Sequence, residues 1–139
     1  MKLDVVTPEG AKVRNLDVSE VTLPGVLGEM GILPGHVSMM AALATGPMRV
    51  QPPQGSAALY AISGGYVEVL ADVVRVLTET CERHDEVDVE RAREKLAEAT
   101  ARLQGLTPAD GEAYEVARLS ARKAETRLWV AETGRSAPG

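Results

Sequence analysis

Hydrophobic and polar positions alternate with a period of two along the first part of the chain. Leu3, Val5 and Thr7 fall on one side of an extended segment, and Lys2, Asp4 and Val6 on the other. Pro8-Glu9-Gly10 then marks a turn. A second run, Val18 to Leu23, puts Val21 and Leu23 on one face and stops at Pro24-Gly25. The Gly and Pro residues from Pro24 to Gly35 predict a loop. Met48-Arg49-Val50 predicts a short strand, closed by the turn-rich Gln51-Pro52-Pro53-Gln54-Gly55. Ala58–Ile62, Tyr66–Leu70 and Val73–Thr78 predict further strands, with Ser63-Gly64-Gly65 as a tight turn. Turn signals recurring about every ten residues are the spacing of a sandwich or barrel.

The period changes near Val87. Asp88 is a good N-cap, and Val89, Ala92, Leu96, Ala99 and Leu103 follow at alternating gaps of three and four. That spacing is the seam of a packed helix. Gly105 is placed to end it, and Thr107-Pro108 offers an N-cap with Pro at the first helical position. A second helix gathers strength after Gly111, with a seam of Ala117, Ala121, Ala124, Leu128 and Ala131, and Gly134 is expected to end it. Two helices joined by so short a break favour an antiparallel hairpin. Its seam is mostly Ala, which buries little area. The hairpin is therefore expected to hold to its dock weakly.

Composition narrows the function classes. The chain has 139 residues, a net charge of −5 and only 3% aromatics, with no Phe. A negative surface repels phosphate backbones, and scarce aromatics remove stacking platforms, so nucleic-acid binding is disfavoured. Cys81 is the only cysteine, which excludes an internal disulfide and suits a reducing cytoplasm. The start of the chain does not look like a signal peptide. The longest apolar stretch, around Val37 to Ala44, is far too short to span a bilayer.

Catalytic signatures are missing. Gly25, Gly28, Gly31 and Gly35 form neither a P-loop nor a dinucleotide-binding pattern, so turn formation explains them better. His36 and His84 lie in different segments without a third ligand at metal spacing. Cys81 has no basic run beside it to lower its thiol pKa, and a buried or edge-strand thiol is expected.

Three stretches are specific in combination. They are Gly28-Glu29-Met30-Gly31-Ile32-Leu33-Pro34-Gly35-His36, Ala61-Ile62-Ser63-Gly64-Gly65-Tyr66-Val67-Glu68-Val69, and Val73 to Arg83. With the start, Leu3 to Gly10, they resemble the epsilon subunit of bacterial F-type ATP synthase over most of the chain. The resemblance implies an α+β fold. An N-terminal β-sandwich (residues 1–86) would be followed by a C-terminal antiparallel two-helix hairpin (87–139).

It also implies a non-catalytic role in the central stalk of a proton-translocating ATP synthase, at the cytoplasmic face of the bacterial plasma membrane. The sandwich would dock on the gamma subunit and sit on the c-subunit ring, with Glu29, Met30, Gly31 and His36 at that ring. The hairpin would either fold on the sandwich or extend into the alpha–beta hexamer and inhibit ATP hydrolysis. There Arg118, Arg122, Lys123 and Arg127 could meet acidic groups. No cofactor is required, but some members of that family bind ATP in the folded hairpin. Their motif is matched by Asp88, Arg91 and Ala92, with Glu82 upstream and Val87 in place of Ile or Leu. Arg122 and Arg127 would complete a nucleotide site. Glu98 stands where a basic residue is expected, so ATP would bind weakly. Two alternatives stay open at this point, a free-standing ATP-sensing regulator and a small enzyme built around His36.

Overall fold

The computed structural model describes residues 1–35 and 38–136. Among them are eight strands: β1 (Lys2–Thr7), β2 (Gly10–Asp17), β3 (Glu20–Gly25), β4 (Gly28–Ile32), β5 (Met39–Gln51), β6 (Ala58–Leu70), β7 (Val73–Leu77) and β8 (Cys81–Arg83). Two helices follow, α1 (Val89–Gln104) and α2 (Glu112–Ser136), with a 3-10 turn at Pro108–Asp110 between them. The strand order is β2-β1-β7-β6-β5-β3-β4, and β8 pairs with β6. β1 and β7 run parallel, and the other pairs run antiparallel. The result is a β-sandwich followed by a helical hairpin.

The alternation read from the sequence builds the sandwich core. Leu3 and Val5, Val21 and Leu23, Val67 and Val69, and Val74 and Val76 all point inward and are buried. They meet Ile32, Met48, Val50, Tyr60, Ile62 and Cys81 in one apolar cluster to which neither helix contributes.

Several elements depart from the sequence expectation. The Pro24–Gly35 loop contains β4, which pairs back on β3 in regular register, Val21 opposite Ile32 and Leu23 opposite Met30. Only Ile32 of that strand is buried, so it carries no alternating signal. β2 is an edge strand with almost every residue exposed, which hides it from a search for apolar alternation. The short strand expected at Met48–Val50 is the end of a 13-residue β5, whose Ala, Gly, Thr and Pro residues obscure its start.

Ser63-Gly64-Gly65 is not a turn between two strands but the middle of one 13-residue strand, β6. Inward-facing residues are even-numbered before it (Tyr60, Ile62) and odd-numbered after it (Val67, Val69). β5 changes in the same way, from Leu43 to Met48 and Val50, while the β5–β6 register stays constant. Two paired strands thus exchange faces together. The left-handed φ values of Gly64 (66°) and Gly65 (107°) absorb the change on β6. A Cβ on Gly65 would lie 1.8 Å from the Leu77 carbonyl oxygen.

The hairpin forms as its caps dictate. Asp88 Oδ1 accepts the Arg91 amide at 3.1 Å and starts α1, and Gly105 closes it. Thr107 and Asp110 form a capping box around the 3-10 turn, and α2 starts only after Gly111. Ala92 and Ala99 of α1 and Ala117, Ala121, Ala124 and Ala131 of α2 are buried, and the two helices pack along each other. Gly134 does not end α2, which continues to Ser136. The glycine lies inside the last turns because the His84 side chain fills the space where its Cβ would stand.

α2 carries the main contact with the sandwich, against β5, β6 and β8. Val130, fully buried, forms a second apolar cluster with Leu59 and Ala61 of β6.

Replacing Gly65 with Ala should destabilise the fold by ~2–4 kcal/mol, because a Cβ there meets backbone rather than a yielding side chain. Urea unfolding followed by circular dichroism measures the loss, and a change under ~0.5 kcal/mol would contradict the close approach.

Candidate functional site

β8, α1 and α2 converge on one cavity. Glu82 lies at the centre of β8, and Arg127 on α2 donates from Nε to Glu82 Oε1 at 2.5 Å. The pair ties strand to helix across 45 residues of sequence. Both side chains keep about a quarter of their exposure, so solvent screening holds the contribution to ~0–1 kcal/mol. One helical turn before Arg127 stands Lys123, and on α1 Arg91 and Lys95 are four residues apart on one face. These residues line a cavity of about 300 Å³, with the hydroxyls of Thr45, Ser63, Thr80, Ser120 and Thr126. Arg91, Lys95 and Lys123 make no ion pair among the described residues, so the cavity presents unneutralised positive charge beside a single carboxylate.

The hydroxyl side of the cavity is ordered by the exchange of faces in β6. Thr78 Oγ1 accepts the Ser63 amide at 3.1 Å, and the Ser63 and Thr80 hydroxyls stand 2.5 Å apart. Thr126 is buried and donates its hydroxyl to the Arg122 carbonyl at 2.8 Å within α2. Beside the cavity, Lys12 pairs with Glu86, which raises the ammonium pKa and lowers that of the carboxyl.

Of the residues expected at a nucleotide site, the structure brings Glu82, Arg91 and Arg127 together on one cavity. Asp88 is occupied as the α1 cap, and Ala92 is fully buried in the helix seam. Arg122 lines a neighbouring groove with Pro47, Glu125, Thr126 and Trp129 instead. In the other predicted region, Glu29 and Gly31 are exposed on β4, while Met30 packs partly against the sandwich core. His36 lies outside the described residues. Next to β4, Leu27 is fully exposed at the tip of the β3–β4 hairpin. On the outward side of the sheet Met40, Tyr66, Leu70 and Leu77 are 45–68% exposed. No group of three metal-ligating side chains occurs among the described residues, and none of their helices is long and apolar enough to cross a membrane.

Residues 1–84 match the family model described as ATP synthase, Delta/Epsilon chain, beta-sandwich domain. The "ATP synthase epsilon chain 2" of Syntrophotalea carbinolica is 42% identical over 135 residues, covering 96% of this chain and 95% of that one. The chain belongs to the ATP synthase epsilon-chain family. In three dimensions it is similar to a chain of the Euglena gracilis mitochondrial ATP synthase OSCP/F1/c-ring structure. The TM-score is 0.80 at 27% identity, covering 95% of this chain and 81% of that one. A chain in the Tetrahymena thermophila mitochondrial ATP synthase central stalk/c-ring structure shares the fold, with a TM-score of 0.67 at 17% identity over 92% and 96% of the two chains.

In this epsilon chain the cavity between sandwich and hairpin has the chemistry of an anion site. Lys95 and Lys123 were not singled out for it in the sequence. The signal for Lys95 was present, since it follows Arg91 by one helical turn, three residues before Glu98. Lys123 needed the docking angle of α2, which no local pattern supplies. Cys81, buried on β8 as expected of it, is not part of any reactive arrangement, because burial pushes its thiol up to about 12.

That shift has a testable sign. The thiol ionises near 9.0 when unfolded and near 12 when folded, so its contribution to stability is complete below pH 9 and declines as pH rises above it. At pH 8 alkylation of Cys81 in the folded chain should be much slower than in urea. Mass spectrometry of iodoacetamide-treated protein checks this, and equal rates would contradict the burial.

Proposed function

We propose that this epsilon chain is a non-catalytic central-stalk subunit that couples c-ring rotation through the gamma subunit to ATP synthesis. Its hairpin, when extended toward the alpha–beta hexamer, restrains ATP hydrolysis. The observation that carries this reading is the thin dock of the hairpin. Among the described residues its fully buried apolar contact is one three-residue cluster, its ion pair with β8 is about a quarter exposed, and the main core of the sandwich takes no residue from it. An element held by so little can change position under modest differences in partner contact. The exposed outward patch of Met40, Tyr66, Leu70 and Leu77 supports docking on gamma. The exposed tip around Leu27 and Glu29 supports contact with the c ring. Both contacts would hold the chain at the cytoplasmic face of the membrane through the complex.

Reconstitution of the cognate ATPase with and without the chain tests the reading. With the full chain, hydrolysis should fall and coupling to the ion gradient should rise. A chain ending at Val87 should keep the folded sandwich and the coupling but release the hydrolysis. Equal hydrolysis with full and shortened chains would leave the hairpin without an inhibitory role.

The cations around the cavity favour a second, regulatory reading, in which ATP binds weakly between sandwich and hairpin. Calorimetric titration of the full chain with ATP–Mg should show binding near the millimolar range, weakened several-fold by Arg91→Ala or Lys95→Ala. Absence of heat at millimolar ATP would exclude it.

A further inference from the structure

We propose that His84 and Gly134 form a self-limiting latch on the hairpin, in which a side chain seated in a glycine notch also carries the cost that allows release. His84 follows β8 directly, and its amide is held by the Leu59 carbonyl at 2.9 Å. Its side chain lies against the last turns of α2. A Cβ on Gly134 would be 2.3 Å from His84 Cβ and Cγ and 2.9 Å from Cδ2. A glycine inside a helix is a handicap that Ala would remove. Here the missing methyl is what lets helix and loop close on each other. The fit has an opposing feature: Nδ1 of His84 is buried and meets no hydrogen-bond partner among the described residues. A polar atom that loses water without gaining a partner penalises the docked state and regains water when α2 leaves. The contact thus fixes where the helix seats and limits how tightly it stays.

The latch rests on the reading that the hairpin leaves the sandwich, but its test does not involve inhibition. Spin labels on cysteines introduced at exposed Gln54 and Thr100 report the sandwich–hairpin distance in the isolated full chain, where buried Cys81 stays unlabelled. Gly134→Ala should raise the undocked fraction about tenfold, with the melting of the sandwich unchanged, although Ala favours helix. In a His84→Gly background the same substitution should no longer loosen the dock. Glycine is used there because His84 Cβ itself makes one of the closest approaches. His84→Leu, similar in volume but without Nδ1, should lower the undocked fraction about tenfold. An unchanged distance in Gly134→Ala, or equal loosening by it with and without His84, would overturn the notch. Loosening by both His84→Leu and His84→Phe would overturn the release cost. Either failure would leave a reconstitution result intact, and unchanged hydrolysis in reconstitution would leave the latch intact.

Discussion

The apolar contact between Val130 of α2 and Leu59 and Ala61 of β6 joins the two parts of this molecule. It exists because the first half of β6 is buried on both faces. Tyr60 and Ile62 enter the sandwich core, and Leu59 and Ala61 turn to the helix. A strand covered on both sides reads as a continuous apolar run, and Ala58-Leu59-Tyr60-Ala61-Ile62 is one. In the second half of the same strand, Tyr66 and Glu68 alternate with the buried Val67 and Val69, and neither described helix covers the outward face. This five-residue stretch of sheet anchors α2, alongside the contacts of that helix with β5 and β8.

The magnitudes explain why this joint is weak. Full burial of one Val contributes ~1.5–3 kcal/mol, and each Ala in the helix seam considerably less. The Glu82–Arg127 pair adds at most ~1 kcal/mol at its exposure. An unpartnered buried imidazole nitrogen subtracts ~1–3 kcal/mol. These terms oppose one another and none exceeds ~3 kcal/mol, so the balance between docked and undocked arrangements is within reach of a partner or ligand that prefers one. Helix propensity does not help, because the Ala seam stabilises the helices whether or not they are docked.

Sequence patterning revealed those parts of the structure whose signal is local. The alternation in β1 and β7, the Asp88 cap and the three-and-four spacing of both helices each depend on neighbours in the chain. β4 and the start of β5 stayed hidden, because most of their residues are small, polar or exposed and leave too few inward apolar positions for an alternating signal. Gly64-Gly65 and Gly134 were both read as ends of elements, and both lie inside them. In each case a distant group, the Leu77 carbonyl or the His84 side chain, occupies the space that a Cβ would need. Of the candidate site, Glu82, Arg91 and Arg127 were legible through a family motif and the α2 cations. Lys123 and the hydroxyl side required the docked geometry.

The exchange of faces at Ser63–Gly65 also separates the two tasks assigned to β6. Before it, the outward residues Leu59 and Ala61 are committed to the hairpin. After it, Tyr66 and Leu70 face outward and are more than half exposed, beside Leu77 of β7. A rotor partner seated on the second half leaves the Val130 contact undisturbed. A hairpin that leaves the first half exposes Leu59 and Ala61 without touching the partner's footing. Under the proposed function, one strand would hold the subunit in the stalk while letting its hairpin go. That division depends on the two glycines that allow the strand to change faces without losing its register with β5.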